Sequence, residues 1–169
     1  TIFSPLISSL LFLLVLSLAI GSDRGDVLGV PFISFLAPGL ISMQVIQQSF
    51  SHSSSSFMIG KIQGNIVDLL YAPLSAAEVT IAVSLAAVTR SVMIAVISII
   101  TFMLLIEMQI TNYLTLITFT FLSSFILGNV GIIAGLWSEK FDNMATVTNF
   151  VIVPLSFLSG TFYTIDKLP

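Results

Sequence analysis

The sequence has no cysteine, a single histidine and few charged residues, and each shortage closes off a line of chemistry. Without cysteine there is no disulfide, no thiol nucleophile and no thiolate metal site, although the redox compartment stays open. The lone histidine, His52, lies in a serine-rich stretch with no second ligand at metal-binding spacing, which predicts a solvated side chain. There is no H-E-x-x-H motif, no acidic cluster to hold a cation, and no pairing of nucleophile with base. Gly60-Lys61 is followed by Ile62 and lacks a glycine-rich run, so no ATP-binding phosphate loop is expected in this chain. Charged residues make up 8% of the chain, against ~25% in ordinary soluble domains. The net charge of -3 is spread thinly, with neither a basic stripe nor an acidic tail, which argues against nucleic-acid binding and against a polybasic lipid anchor.

What the sequence has instead is apolar length. Hydrophobic residues reach 56% and the mean hydropathy is +1.11. Crossing ~30 Å of hydrocarbon takes roughly 20 helical residues, so these runs predict an all-α, polytopic membrane protein forming one transmembrane domain over residues 1–169. The first span is Ile2 to Ile20. No basic leader precedes it, so a cleaved signal peptide is not expected, and we read it as the first span of a chain whose beginning is missing.

The second span, Pro31 to Phe50, contains Pro38-Gly39, which predicts a kink or local unwinding. Near its end Gln44, Gln47 and Gln48 fall at i, i+3 and i+4. Three amides on one face form either an inter-helix hydrogen-bond stripe or the lining of a pathway. "SHSSSS", Ser51 to Ser56, reads as a flexible polar linker.

The next stretch, "KIQGNIVDLLYAPLSAAE" from Lys61 to Glu78, predicts a short amphipathic helix. Ile62, Ile66, Leu69 and Leu70 share one face; Lys61, Gly64, Asn65 and Asp68 share the other. Pro73 ends it, and Ser75 to Glu78 has the form of a capping box that starts the third span. That span carries Arg90 inside its apolar run. A central arginine costs at least ~2.5 kcal/mol on insertion, so it must face the bundle or a wet cavity, or snorkel to the nearer surface. The fourth span, Tyr113 to Trp137, contains Gly131 and Gly135 at GxxxG spacing, which favours close intrachain packing over a dimer seam. Asn129 is placed to hydrogen-bond across helices. The fifth span, Ala145 to Phe162, is broken by Pro154 and Gly160 and ends in aromatic residues suited to a membrane interface.

Three segments, "FLAPGLISMQVIQQSF", "SSSSFMIGKIQGNIVDLLYAPLSAAEV" and "FVIVPLSFLSGTFYTIDKLP", in this order resemble the permease subunit of bacterial ABC-2 type exporters, and the resemblance covers nearly the whole chain. The family's loop motif falls on Gly64, Leu69, Leu70, Pro73 and Glu78, and a second motif on Pro154 to Pro169. The resemblance implies a six-span subunit, of which about five spans are present. It also implies that the Lys61 to Glu78 segment is a cytosolic coupling helix docked on a separate ATPase subunit, which binds ATP and Mg, and that two permease copies, a homodimer, join two ATPase chains in the bacterial inner membrane. This sequence would then be a fragment, ending before a sixth span.

The implied topology puts the chain's beginning and residues 51–78 in the cytosol, with Ser22 to Gly29 and Thr161 to Pro169 outside. The basic residues barely discriminate: Lys61 and Lys140 fall inside, Arg24 and Lys167 outside. Two other classes fit the composition. A secondary transporter or channel subunit should show intramembrane carboxylates, whereas all eight acidic residues here lie in loops or at span ends. A non-transporting membrane assembly protein is compatible with the composition. The substrate, whether a lipid-linked saccharide, a drug or another amphipathic molecule, is not legible in the residues.

Overall fold

The computed structural model describes residues 3–20, 31–106 and 112–158. These residues form helices and no strand: α1 (Phe3–Ile20), α2 (Phe32–Gln63), α3 (Ile66–Tyr71), α4 (Ala76–Leu105), α5 (Tyr113–Trp137) and α6 (Phe141–Val147), then a π-helical turn (Thr148–Ile152) and α7 (Val153–Phe157). The all-α architecture agrees with the sequence, and α4 and α5 are each long and apolar enough to cross a bilayer.

The outer surface is apolar, unlike that of a water-soluble bundle. Large apolar side chains such as Leu104, Leu114, Ile133 and Phe150 point outward. Apart from Gln44, the buried polar residues among those described are all serines, set among glycine and alanine. Lipid tails are as apolar as leucine, so burying leucine gains little there, and helices associate through close approach and hydrogen bonds, which small residues permit.

α2 is the central helix. Its outer part packs Ala37, Leu40, Ile41 and Val45 against Leu13 of α1 and against Ala95 and Phe102 of α4. Further along, Phe50 packs with Ala134 of α5 and with Ile152. At 32 residues α2 is about 48 Å long at ~1.5 Å per residue, well beyond the hydrocarbon thickness.

That length corrects two expectations. The helix does not stop at Phe50, and Ser51 to Ser56 is not a linker, because α2 continues unbroken to Gln63. The hydroxyls of Ser54 and Ser56 donate back to the carbonyls of Phe50 (2.8 Å) and His52 (2.7 Å), which satisfies them inside a helix. Ser49, Ser53 and Ser54 are fully buried. Their small size is what α5 requires: a Cβ at Gly131 would lie 2.6 Å from the Phe50 carbonyl oxygen, and one at Gly135 would lie 2.8 Å from that of Ser54. The GxxxG pair therefore serves intrachain packing.

The predicted unwinding at Pro38-Gly39 does not occur, since α2 runs through both residues. A proline removes one backbone donor, and the helical hydrogen bonding resumes on either side of it. Pro154 lies in the first turn of α7, where its missing N–H costs least, directly after the wide π-helical turn. Gly160, the 22–29 segment and the 161–169 segment lie outside the described residues.

The predicted capping box forms at the start of α4. The Glu78 amide donates to Ser75 Oγ (3.3 Å), and the Ser75 amide and hydroxyl donate to Glu78 Oε2 (2.7 and 2.8 Å). The bond from the Ser75 backbone, and then that from its hydroxyl, hold the Glu78 carboxyl below its ordinary range. With the folded pKa depressed, the stability it contributes is present above the unfolded value and is lost as pH falls through the folded one. Amide protection over residues 78–80, taken relative to the intrinsic exchange rate at each pH, should therefore fall on acidification below the ordinary carboxylate range, and Glu78→Gln should remove that pH dependence.

Candidate functional site

The motif region does not form one helix from Lys61 to Pro73. Gly64 ends α2 in the left-handed conformation (φ +77°), with its amide donating to the Lys61 carbonyl (3.3 Å), and only Ile66–Tyr71 forms α3. A left-handed cap is what the sequence Gly-Asn supplies and what a side chain with a Cβ resists. The turn divides the two faces read from periodicity: Lys61 and Ile62 belong to α2, whereas Ile66, Asp68, Leu69 and Leu70 belong to α3.

Lys61 turns back into the bundle. Its ammonium donates to the carbonyls of Gly135 (2.9 Å) and Ser138 (3.0 Å) and closely to that of Leu136. A helix ends with unpaired carbonyls and a partial negative charge, and a lysine supplied by another helix answers both. The end of α2 is thereby tied to the end of α5.

Beyond Gly64, α3 stands off the bundle. None of its residues is buried, and Leu70 and Tyr71 are 78% and 86% exposed. Asn65 and Asp68 are exposed beside it, and Pro73 separates it from the Ser75–Glu78 cap. A short apolar helix is therefore held out between two long helices, by a glycine turn on one side and a capped proline break on the other.

The three glutamines share one face, as their spacing predicts, and differ in the bonds they make. Gln44 is a cross-link: its amide nitrogen donates to the Pro5 carbonyl of α1 (2.9 Å) and its oxygen accepts from Ser98 of α4 (3.0 Å). Gln47 donates to Ser156 Oγ of α7 (2.9 Å). Gln48, together with Gln44 and Gln47, lines a cavity of about 510 Å³ between α1, α2 and α4, which Arg90 also borders.

Arg90 is partly buried, and its Nη1 lies 3.3 Å from Nδ1 of His52. Arginine has only donors, so Nδ1 must accept and the imidazole proton must sit on Nε2. His52 is thus half-buried against α4, contrary to the expectation of a solvated residue, because the serine-rich stretch that carries it is helical. Asn129 does not reach another helix; its amide bonds to the Phe125 carbonyl one turn earlier in α5 (2.8 Å).

Sequence reasoning passed over the serines of α4. Ser84, Ser91 and Ser98 recur every seventh residue and are all buried. Ser91 donates to Ser124 of α5 (2.7 Å) as Ser98 does to Gln44. That spacing, two helical turns, was the available signal for the inward face of α4.

A helical membrane bundle with a central long helix, small-residue interfaces and an exposed helix slung between two spans defines a polytopic membrane subunit. Residues 1–169 match the family described as ABC-2 type transporter, and the chain belongs to that family. Over 169 residues it is 28% identical to the protein named Inner membrane transport permease YadH of Escherichia coli (strain K12), and equally to the proteins of that name from Escherichia coli O157:H7 and Shigella flexneri. These alignments cover 100% of this chain and 66% of each relative, so the chain spans just under two thirds of the length of the curated relatives it matches. No solved structure matches it.

Proposed function

We propose that this chain is the core of the permease subunit of an ATP-driven exporter in the bacterial inner membrane, and that α3 is the helix on which a separate ATPase subunit pushes. ATP and Mg bind to that ATPase, two copies of which act on two permease copies. The observation that carries the reading is the placement of α3: none of its apolar residues is buried within the described chain, and short connections join it to α2 and α4. Force applied to α3 passes directly into α2 and α4, and through Lys61 into α5. Tilting these helices against one another is a physical route to alternating access for an amphipathic substrate.

The reading is tested on the full-length protein co-expressed with its ATPase. Asp68→Lys and Leu70→Ser change the exposed surface of α3 and leave the bundle untouched. Each is expected to reduce ATPase co-purification roughly tenfold, as loss of an interface anchor does, with normal membrane insertion. Gly64→Trp is a poorer probe, because at φ +77° it strains the backbone as well as altering the surface. Wild-type co-purification and ATP hydrolysis in both variants would make α3 a helix resting on the lipid surface.

A further inference from the structure

The groove between α1, α2 and α4 has the composition of a binding site. Among the described residues no carboxylate pairs with Arg90, and its Nε is buried without a hydrogen-bond partner. His52 occupies one donor of the guanidinium, which has five. Arg90 is only partly buried, but its Nε is shut off from water with no partner, and the planar fork of arginine fits the oxygens of a phosphate or carboxylate. Gln48 and Ser8 add polar groups to the same wall, and Phe12, Leu40 and Met43 make the remainder apolar. A volume of about 510 Å³ is in the range that takes a drug-sized molecule or a headgroup with part of its chain.

We infer that this groove binds an amphipathic molecule carrying one anionic group, phosphate or carboxylate, with the anion on Arg90 and the apolar body along Phe12, Leu40 and Met43. The single positive charge, with no acid beside it among the described residues, favours an anionic group over a zwitterion or a cation. Gln44 also borders the groove, held in place by its bonds to Pro5 and Ser98. Binding at this groove is independent of whether α3 docks on an ATPase.

The test uses the full-length protein in a nonionic detergent, with bound ligand counted by native mass spectrometry during titration with phosphatidylglycerol, phosphatidylcholine or dodecyl phosphate. At least one of the two anions should bind about tenfold or more tightly than phosphatidylcholine, the scale of one charge-assisted pair. Arg90→Gln should abolish that preference, Arg90→Lys should keep most of it, and Met43→Trp should weaken anion binding by filling the groove without changing its charge. Preference for phosphatidylglycerol alone would assign a bilayer lipid, and preference for dodecyl phosphate alone a single-chain amphiphile; either supports the site. Equal binding of all three by the wild-type protein, or an anion preference that survives Arg90→Gln, would overturn it. If Arg90→Gln fails to fold, the wild-type preference and Met43→Trp decide the matter.

Discussion

Replacing Gly131 by alanine should pull α2 and α5 apart and produce the largest loss of stability of any single methyl group added to this bundle. The new Cβ would lie 2.6 Å from the Phe50 carbonyl oxygen and 3.0 Å from the Ser53 Cβ. The first of these is a backbone atom within a continuous helix, so it cannot rotate away as the end of a flexible side chain would. Relief requires movement of α2 itself, which also carries the contacts to α1, α4 and α7. Overpacking of this kind costs ~1–3 kcal/mol, and Gly131→Leu should prevent the native bundle from forming. Gly60→Ala is the matched control. Gly60 lies in the same α2, and a Cβ there meets nothing within 4 Å, so helix propensity alone should stabilise it by up to ~1 kcal/mol. Unfolding of the full-length protein in mixed micelles measures both; equal stability of Gly131→Ala and wild type would contradict the close approach.

Lys61→Met should release the end of α5 from the end of α2. The methionine retains most of the length and apolar stem of lysine but supplies no donor to the carbonyls of Gly135, Leu136 and Ser138. Hydrogen bonds from a charged group are worth ~1.5–3 kcal/mol each, and water takes over part of them at this partly exposed position, so a net loss of about 2 kcal/mol is expected. The signature is local: faster amide exchange at the end of α5 and in the 138–140 segment, with Lys61→Arg intermediate. The same experiment separates two roles for this residue. If Lys61 instead meets the ATPase, as the family resemblance implies for its segment, Lys61→Met would lower ATPase co-purification while leaving exchange at the end of α5 unchanged. If it is the clamp, co-purification should stay at the wild-type level while exchange at the end of α5 rises, because α5 remains packed on α2 through Gly131 and Gly135 and only its end is released.

The contrast between Ser75 and Ser53 shows how much of this was legible beforehand. Ser75 and Glu78 cap α4 as their spacing predicts, since a capping box is completed within one turn and depends on nothing outside it. Gly64 ends α2 for a similarly local reason, its tolerance of a positive φ. The fourth span coincides with α5 from Tyr113 to Trp137, because hydropathy and length suffice to define a helix in lipid. Ser53 had no such local arbiter. A run of serines reads as linker when solvated and as a packing face when a second helix approaches, and glycines on α5 decide between the two. His52 follows from that choice: once its segment is helical, it is carried against Arg90 rather than into solvent.

The sequence by itself thus determined the all-α membrane class, the starts and stops set by caps and apolar length, and the segment between α2 and α4 that resembles a coupling element. Only the tertiary structure decided that Lys61 reaches α5, that Gln44 is a cross-link and with Gln48 borders a groove, and that Arg90 lacks a counter-ion among the described residues. The physical reason is range. Propensity, capping and hydropathy act within a few residues of chain, whereas a polar side chain in a bilayer takes its role from whichever helix lies across from it.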